Sequence, residues 1–254
     1  MSGYSKEFAR VYDRRWKQFA DQAAPLIREY YESLHPHRTP KTLLDLCCGT
    51  GQLATHFLHH GYQVTGLDLS PHMLAIAREH NNEAIAVGRA EFVEGDATNF
   101  SFNRRFGLVV ATFDALNHLP DMAALQACFA CVRAVLAPAG CFIFDLNTRG
   151  GLRRWNNVHV DESDPDFFIV NRGIFDQEAG RAIVRISGFM RHENGYYERF
   201  EETAYNTAFD LMAVREALQA AGLPTIHFAS LQDLAYPVKN PEAESRIFFI
   251  AQIR

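Results

Sequence analysis

The spacing of apolar positions changes rhythm along the chain. From 5 to 33, Phe8, Tyr12, Phe19, Leu26, Ile27 and Tyr30 recur near helical spacing. Pro25 is predicted to open a second helix, because a missing N–H is harmless in a first turn. His35-Pro36-His37-Arg38-Thr39-Pro40 reads as a linker, with His35 and His37 exposed. From 41 to 148, short apolar runs alternate with longer amphipathic stretches. Residues 42–46, 62–67, 90–93, 106–112 and 141–145 are predicted strands, and 52–60, 71–81 and 122–136 predicted helices. Ser70 caps the second of these helices and Pro71 sits in its first turn, while Pro138-Ala139-Gly140 turns the chain into the fifth strand. This alternation implies an α/β fold, a parallel sheet with helices on both faces.

Beyond 148 the period shortens to two. Residues 167–175, 181–191 and 196–206 read as antiparallel strands, joined by Gln177-Glu178-Ala179-Gly180 and by Glu193-Asn194-Gly195, whose last two residues are a strong hairpin signal. A helix at 210–221 ends on Gly222 with Pro224 beyond, and strands near 225–229 and 246–253 follow. The organisation predicted is a helical cap at 1–40, an α/β core at 41–148, an antiparallel lid insertion at 149–208, and a helix with two strands at 209–254 completing the core sheet.

Chemistry concentrates where the strands end, the edge at which open α/β sheets bind ligands. The first strand runs into Gly49-Thr50-Gly51, two glycines that let the backbone turn sharply and approach a ligand. The second strand delivers Asp68, a carboxylate placed to accept from two ribose hydroxyls. Gly49-x-Gly51-x-x-Ala54 also fits a loose dinucleotide fingerprint. Asp45 lies four residues before the first glycine, however, and its charge repels a pyrophosphate while attracting a sulfonium or an amino group. Asp96 follows the third strand, and a strand-rich tail follows the fifth.

Together these features resemble the class I S-adenosylmethionine-dependent methyltransferases, closely over residues 40–148 and loosely in the tail. The resemblance implies a Rossmann-like, seven-stranded, mostly parallel sheet whose last strand is antiparallel, with the small antiparallel lid over the ligand edge. It implies S-adenosylmethionine as cofactor, with S-adenosylhomocysteine as product. Gly49 and Gly51 then pass against its methionine and ribose portions, Asp45 contacts the methionine amino group, and Asp68 binds the ribose. Asp96 and the backbone of Ala97 take the adenine, and Leu69 and Met73 pack on adenine or ribose, Met73 doubling as core. Thr112 and Phe113 touch the methionine part at the end of the fourth strand. His118 resembles the base of sugar-amine N-methyltransferases, and a histidine's ordinary pKa suits proton removal from an ammonium or hydroxyl; a buried, hydrogen-bonded histidine is the competing reading. Tyr12 and Trp16, on the aromatic face formed with Tyr4 and Phe8, together with Asn117 and Asn147, are the expected substrate contacts. The Asn-Pro-Pro-Tyr-like motif of adenine and glutamine methylating enzymes is absent, which argues against nucleic-acid and protein-amide targets.

Composition adds limits. The chain has 254 residues, 48% of them hydrophobic, enough for one sizeable core. A net charge of −5 argues against nucleic-acid or anionic-membrane binding. No apolar run of membrane-spanning length and no signal-peptide core is present, so a cytoplasmic protein acting on a small-molecule substrate is expected, with a homodimer left open. Five cysteines, two of them adjacent, suit a reducing compartment. Cys128-x-x-Cys131 lacks a second pair, so core packing is expected there and no metal. The expected reaction is methyl transfer to N or O of a polar metabolite. The alternatives are a nicotinamide-dependent oxidoreductase and a non-catalytic S-adenosylmethionine-binding protein.

Overall fold

The computed structural model describes residues 4–34, 40–192 and 194–253. Most of the linker, with His35 and His37, therefore lies outside the described residues, as does Glu193 of the second hairpin. The chain opens with α1 (Lys6–Arg15), capped by Ser5 through its bond from the Phe8 amide, and α2 (Lys17–Leu34). The break falls at Trp16, and Pro25 lies inside α2, contrary to the sequence expectation. The buried face Ala23, Ala24, Ile27 and Tyr31 packs α2 on the core, and that burial offsets the backbone bond that proline removes.

The core then runs β1 (Thr42–Leu46), α3 (Gln52–His59), β2 (Gln63–Asp68), α4 (Pro71–His80), α5 (Asn82–Ala86), β3 (Ala90–Glu94), β4 (Phe106–Ala111), α6 (Met122–Val135) and β5 (Leu136–Asn147). Ser70 caps α4 by accepting from the Met73 amide, with Pro71 in the first turn, as expected. The first part of β5 is irregular. Ala139 is left-handed at φ 59, and regular pairing with β4 starts at Cys141, where the strand was predicted.

The second sheet comprises β6 (Val158–Asp161), β7 (Phe167–Asp176), β8 (Arg181–Arg191) and β9 (Tyr197–Thr207), following the short α7 (Arg149–Arg153). It has four antiparallel strands where three were predicted, because β6 is a short, exposed edge strand with weak patterning. The chain closes with α8 (Leu211–Ala220), β10 (Thr225–Ala229) and β11 (Arg246–Gln252). After α8, the Leu223 amide bonds back to Leu218 and that of Gly222, at φ 77, to Gln219, a Schellman ending that glycine permits.

The seven-stranded order is β10-β11-β5-β4-β1-β2-β3. Strands β1 to β5 are mutually parallel, and β11 runs antiparallel to β5. One core lies on each face, one under α6 and α8, the other under α2, α3 and α4. A third cluster joins α1 and α4 to the second sheet through Phe8, Met73, Phe167, Ile169 and Phe200. Salt bridges tie Arg14 to Asp164 and Asp166, and Arg15 to Asp161, so α1 is fastened between the two sheets at the carboxyl edge.

Candidate active site

Strand β1 ends in a loop where Cys47, Gly49 and Gly51 all take left-handed φ, at 60°, 55° and 76°. At Gly51 a Cβ would lie 3.0 Å from the Ala77 Cβ and 3.2 Å from Asn81 Nδ2, so this glycine serves the closure of α4 on α3. Gly49 is the glycine at the open side, 3.5 Å from the Tyr12 ring by the same measure. Its N–H donates to Asp68 Oδ2 at 2.8 Å, and the Ser70 N–H donates to Oδ1 at 2.8 Å. Burial raises the Asp68 pKa against these two amides. Each Asp68 oxygen keeps a second lone pair.

Asp45 is 2% exposed, and its Oδ2 has no hydrogen-bond partner; nor has the buried Thr50 hydroxyl. Burial, and then the charge of Asp68, push the Asp45 pKa up to about 8. A cleft of about 360 Å³ opens here, lined by Asp45, Thr50, Tyr12, Trp16, Thr112 and Phe113 among others. A buried carboxylate oxygen without a partner is costly, and it is complemented by a cation carrying N–H donors. The amino-acid end of an adenosyl sulfonium has that character.

At the end of β4, Phe113 and Asp114 are both left-handed, φ 64° and 50°. Such residues cost roughly 1–2 kcal/mol each unless the surroundings hold them. Both amides donate to the fully buried Asp145, at 2.7 Å to Oδ1 and 2.9 Å to Oδ2. Arg246 bonds the same carboxylate and Asp114 Oδ1, the latter at 2.6 Å. Burial lowers the Arg246 pKa, but Asp145 and Asp114 outweigh that and raise it overall.

A 3₁₀ turn, Ala115–His118, follows and packs on β5 and β9. His118 is half-buried, with Nε2 3.5 Å from the Tyr4 hydroxyl. Asn117 is a correction to the expected substrate contacts. Its Nδ2 donates to the carbonyls of Asn147 at 3.2 Å and Thr207 at 2.8 Å, and its Oδ1 accepts from the Asn147 amide at 2.8 Å. That amide clamps the β4 turn to both sheets and has no donor left for a substrate. Asn147 is buried, and its Nδ2 has no partner.

The other expected residues divide. Met73 is buried in the α1–α4 cluster, the packing that the sequence allowed for it. Leu69 is 42% exposed beside Asp68. Asp96 is exposed past the end of β3, two residues beyond the Glu94 that pairs with Asp68, and its Oδ1 accepts from the Thr98 amide and hydroxyl at 2.8 Å. Ala97 is buried beside it. Three features escaped the sequence reading. Thr50 lines the cleft, Tyr4 meets His118, and Arg246 reaches back from the last strand; only the position of Arg246, first in a strand, hinted at an edge role.

A sequence profile described as a methyltransferase domain matches residues 43–140, from β1 to the irregular start of β5. The chain carries a methyltransferase domain of the S-adenosylmethionine-dependent kind. The methyltransferase is 27% identical over 249 residues to a provisionally named methyltransferase of Geobacillus sp. (strain WCH70), covering 97% of this chain and 98% of that one. It is 34% identical over 148 residues to the dTDP-3-amino-3,6-dideoxy-alpha-D-glucopyranose N,N-dimethyltransferase of Streptomyces fradiae, covering 56% of this chain and 54% of that one. In fold it is similar to an S-adenosylmethionine-dependent methyltransferase from Clostridium acetobutylicum ATCC 824, with a TM-score of 0.82 at 24% identity over 97% and 98% of the two chains. The oxidoreductase and non-catalytic alternatives are thereby set aside. Among the described residues, no helix is long and apolar enough to cross a membrane.

Proposed function

We propose that this methyltransferase acts on a nitrogen atom of a small polar metabolite in the cytoplasm. The observation that carries the reading of the donor site is the partnerless Asp45 Oδ2, buried at the head of the cleft. Asp45 takes the amino group of the donor's methionine end, and Gly49 gives the backbone room beside it. Thr112 and Phe113 wall this end of the cleft. Asp68 accepts from the ribose hydroxyls through its free lone pairs. Asp96, through Oδ2, and the Ala97 amide take the adenine edge, with Leu69 against it. S-Adenosylmethionine, when bound, supplies a methyl carbon open to in-line attack, so the protein's task is positioning and exclusion of water.

His118 is proposed as the base that removes the proton from an ammonium acceptor, its ring set by Tyr4. The charge around it supports an amine: Asp68, Asp114 and Glu202 all act on Tyr4, the residue that meets His118. Asn147 Nδ2 is a free donor for an acceptor hydroxyl. Tyr12 and Trp16 line the cleft and give a cationic sulfur an aromatic face, worth about 0.5–2 kcal/mol. The segment 149–208 is proposed as the lid that encloses the acceptor. Its outer face leaves Val158, Val160, Ile174 and Phe189 exposed, which supports a homodimer through that sheet.

The test is methyl-donor consumption with a panel of small primary amines, nucleotide-linked 3-amino sugars among them, beside matched alcohols and phenols. Turnover of an amine with its alcohol analogue inert supports the proposal. Turnover confined to hydroxyl acceptors overturns it.

A further inference from the structure

Two consecutive residues without glycine's freedom, Phe113 and Asp114, hold a left-handed backbone, and Phe113 lines the cleft. Their two amides form a nest closed on one anion, the carboxylate of Asp145. That carboxylate is fully buried, and Asp114, a second acid, lies beside it. The only cation reaching both among the described residues is Arg246, whose two terminal nitrogens divide between Asp145 and Asp114. The guanidinium also lies over the rings of Phe19 and Phe113, 5.0 and 5.3 Å from their centroids, and these rings stack on each other at 4.6 Å. Phe19 and Phe113 both line the cleft.

We propose that Arg246 is a positioning residue of the donor pocket: by bonding Asp145 and Asp114 together it keeps the Phe113–Asp114 turn left-handed and the Phe113 ring against the cleft. It acts through these groups and touches no reacting atom. A plain ion pair between strands requires one carboxylate; this arrangement engages two, and the second belongs to the strained turn itself. The inference rests on the cleft being the donor site.

The test uses Arg246→Met and Arg246→Lys in the full chain. S-Adenosylhomocysteine affinity is measured by calorimetry and the turn is read from crystal structures. Arg246→Met is expected to bind at least 10-fold more weakly than wild type, with Phe113 or Asp114 leaving positive φ. Arg246→Lys keeps the charge but not the two-pronged donor geometry, and is expected to lose about 3-fold. If Arg246→Met does not fold, the lysine variant decides: wild-type affinity with an unchanged turn overturns the proposal. An Arg246→Met protein that keeps the turn and the wild-type affinity also overturns it. Wild-type protein that does not bind S-adenosylhomocysteine overturns the donor-site reading, and the pocket role of Arg246 with it; a binding wild type with an unaffected variant overturns Arg246 alone.

Discussion

Asp45→Asn separates the two effects of a buried, partnerless carboxylate. Burial and Asp68 raise the Asp45 pKa from 3.8 to about 8 in the native protein. At 1.36 kcal/mol per pH unit this corresponds to a destabilisation on the order of 5 kcal/mol once the group is ionised. Between about pH 4 and 8 the native state holds this proton and the unfolded chain does not, so stability falls as pH rises through that window. Asparagine has nearly the same shape and no charge to desolvate. The variant should therefore be more stable than wild type at pH 8, by about 2–5 kcal/mol, a rise in melting temperature of roughly 5–15 °C. The gap should close by about 1.4 kcal/mol for each pH unit towards pH 4. In the same variant an amide N–H would face the ammonium of the ligand. Loss of the charged hydrogen bond should weaken S-adenosylhomocysteine binding by about 1.5–3 kcal/mol, some 10- to 150-fold. Scanning calorimetry at pH 5, 6.5 and 8 and titration calorimetry at pH 8 measure both. A variant less stable than wild type at pH 8, with unaltered ligand affinity, refutes the assignment of Asp45.

Further substitutions probe the rest of the site. Asp68→Ala removes the proposed ribose acceptor and the anchor of the Gly49 and Ser70 amides, and should weaken donor binding by about 2–4 kcal/mol; unchanged calorimetric affinity would count against it. His118→Ala should lower turnover of an accepted amine by about 100-fold or more while leaving donor affinity within a few-fold, and equal turnover would make His118 structural. Asn117→Ala should cost about 2–4 kcal/mol in urea unfolding, because it orphans the Asn147 amide and two carbonyls. A loss below about 0.5 kcal/mol would contradict the clamp.

Much of the fold is local, and that part is legible in the sequence. Ser70-Pro71 states a helix start, Asn194-Gly195 a hairpin and Gly222 a helix end, because each requires a backbone state that few residues provide. Asp45, Thr112 and Phe113 reach the cleft because parallel strands bring their carboxyl ends to one edge. What local pattern misses is decided by contacts distant in sequence. Pro25 reads as a helix start, yet packing against α3 carries α2 through it. Met73 has the same spacing whether it faces a ligand or Phe8, and only the docking of α1 puts it in one cluster with Phe8. Asn117 reads as a polar pocket residue until β5 and β9 close on its amide. Arg246 is 132 positions from Asp114, and only the antiparallel return of β11 brings them together.

In the proposed donor site, Asp45 and Asp68 divide the two ends of one adenosyl ligand. A crystal structure of the wild-type protein with S-adenosylhomocysteine measures that directly. The expected result is the ligand's amino nitrogen within hydrogen-bond distance of Asp45 Oδ2 and its ribose hydroxyls on Asp68. A ligand seated elsewhere, or one whose amino group leaves Asp45 Oδ2 without a partner, would contradict it.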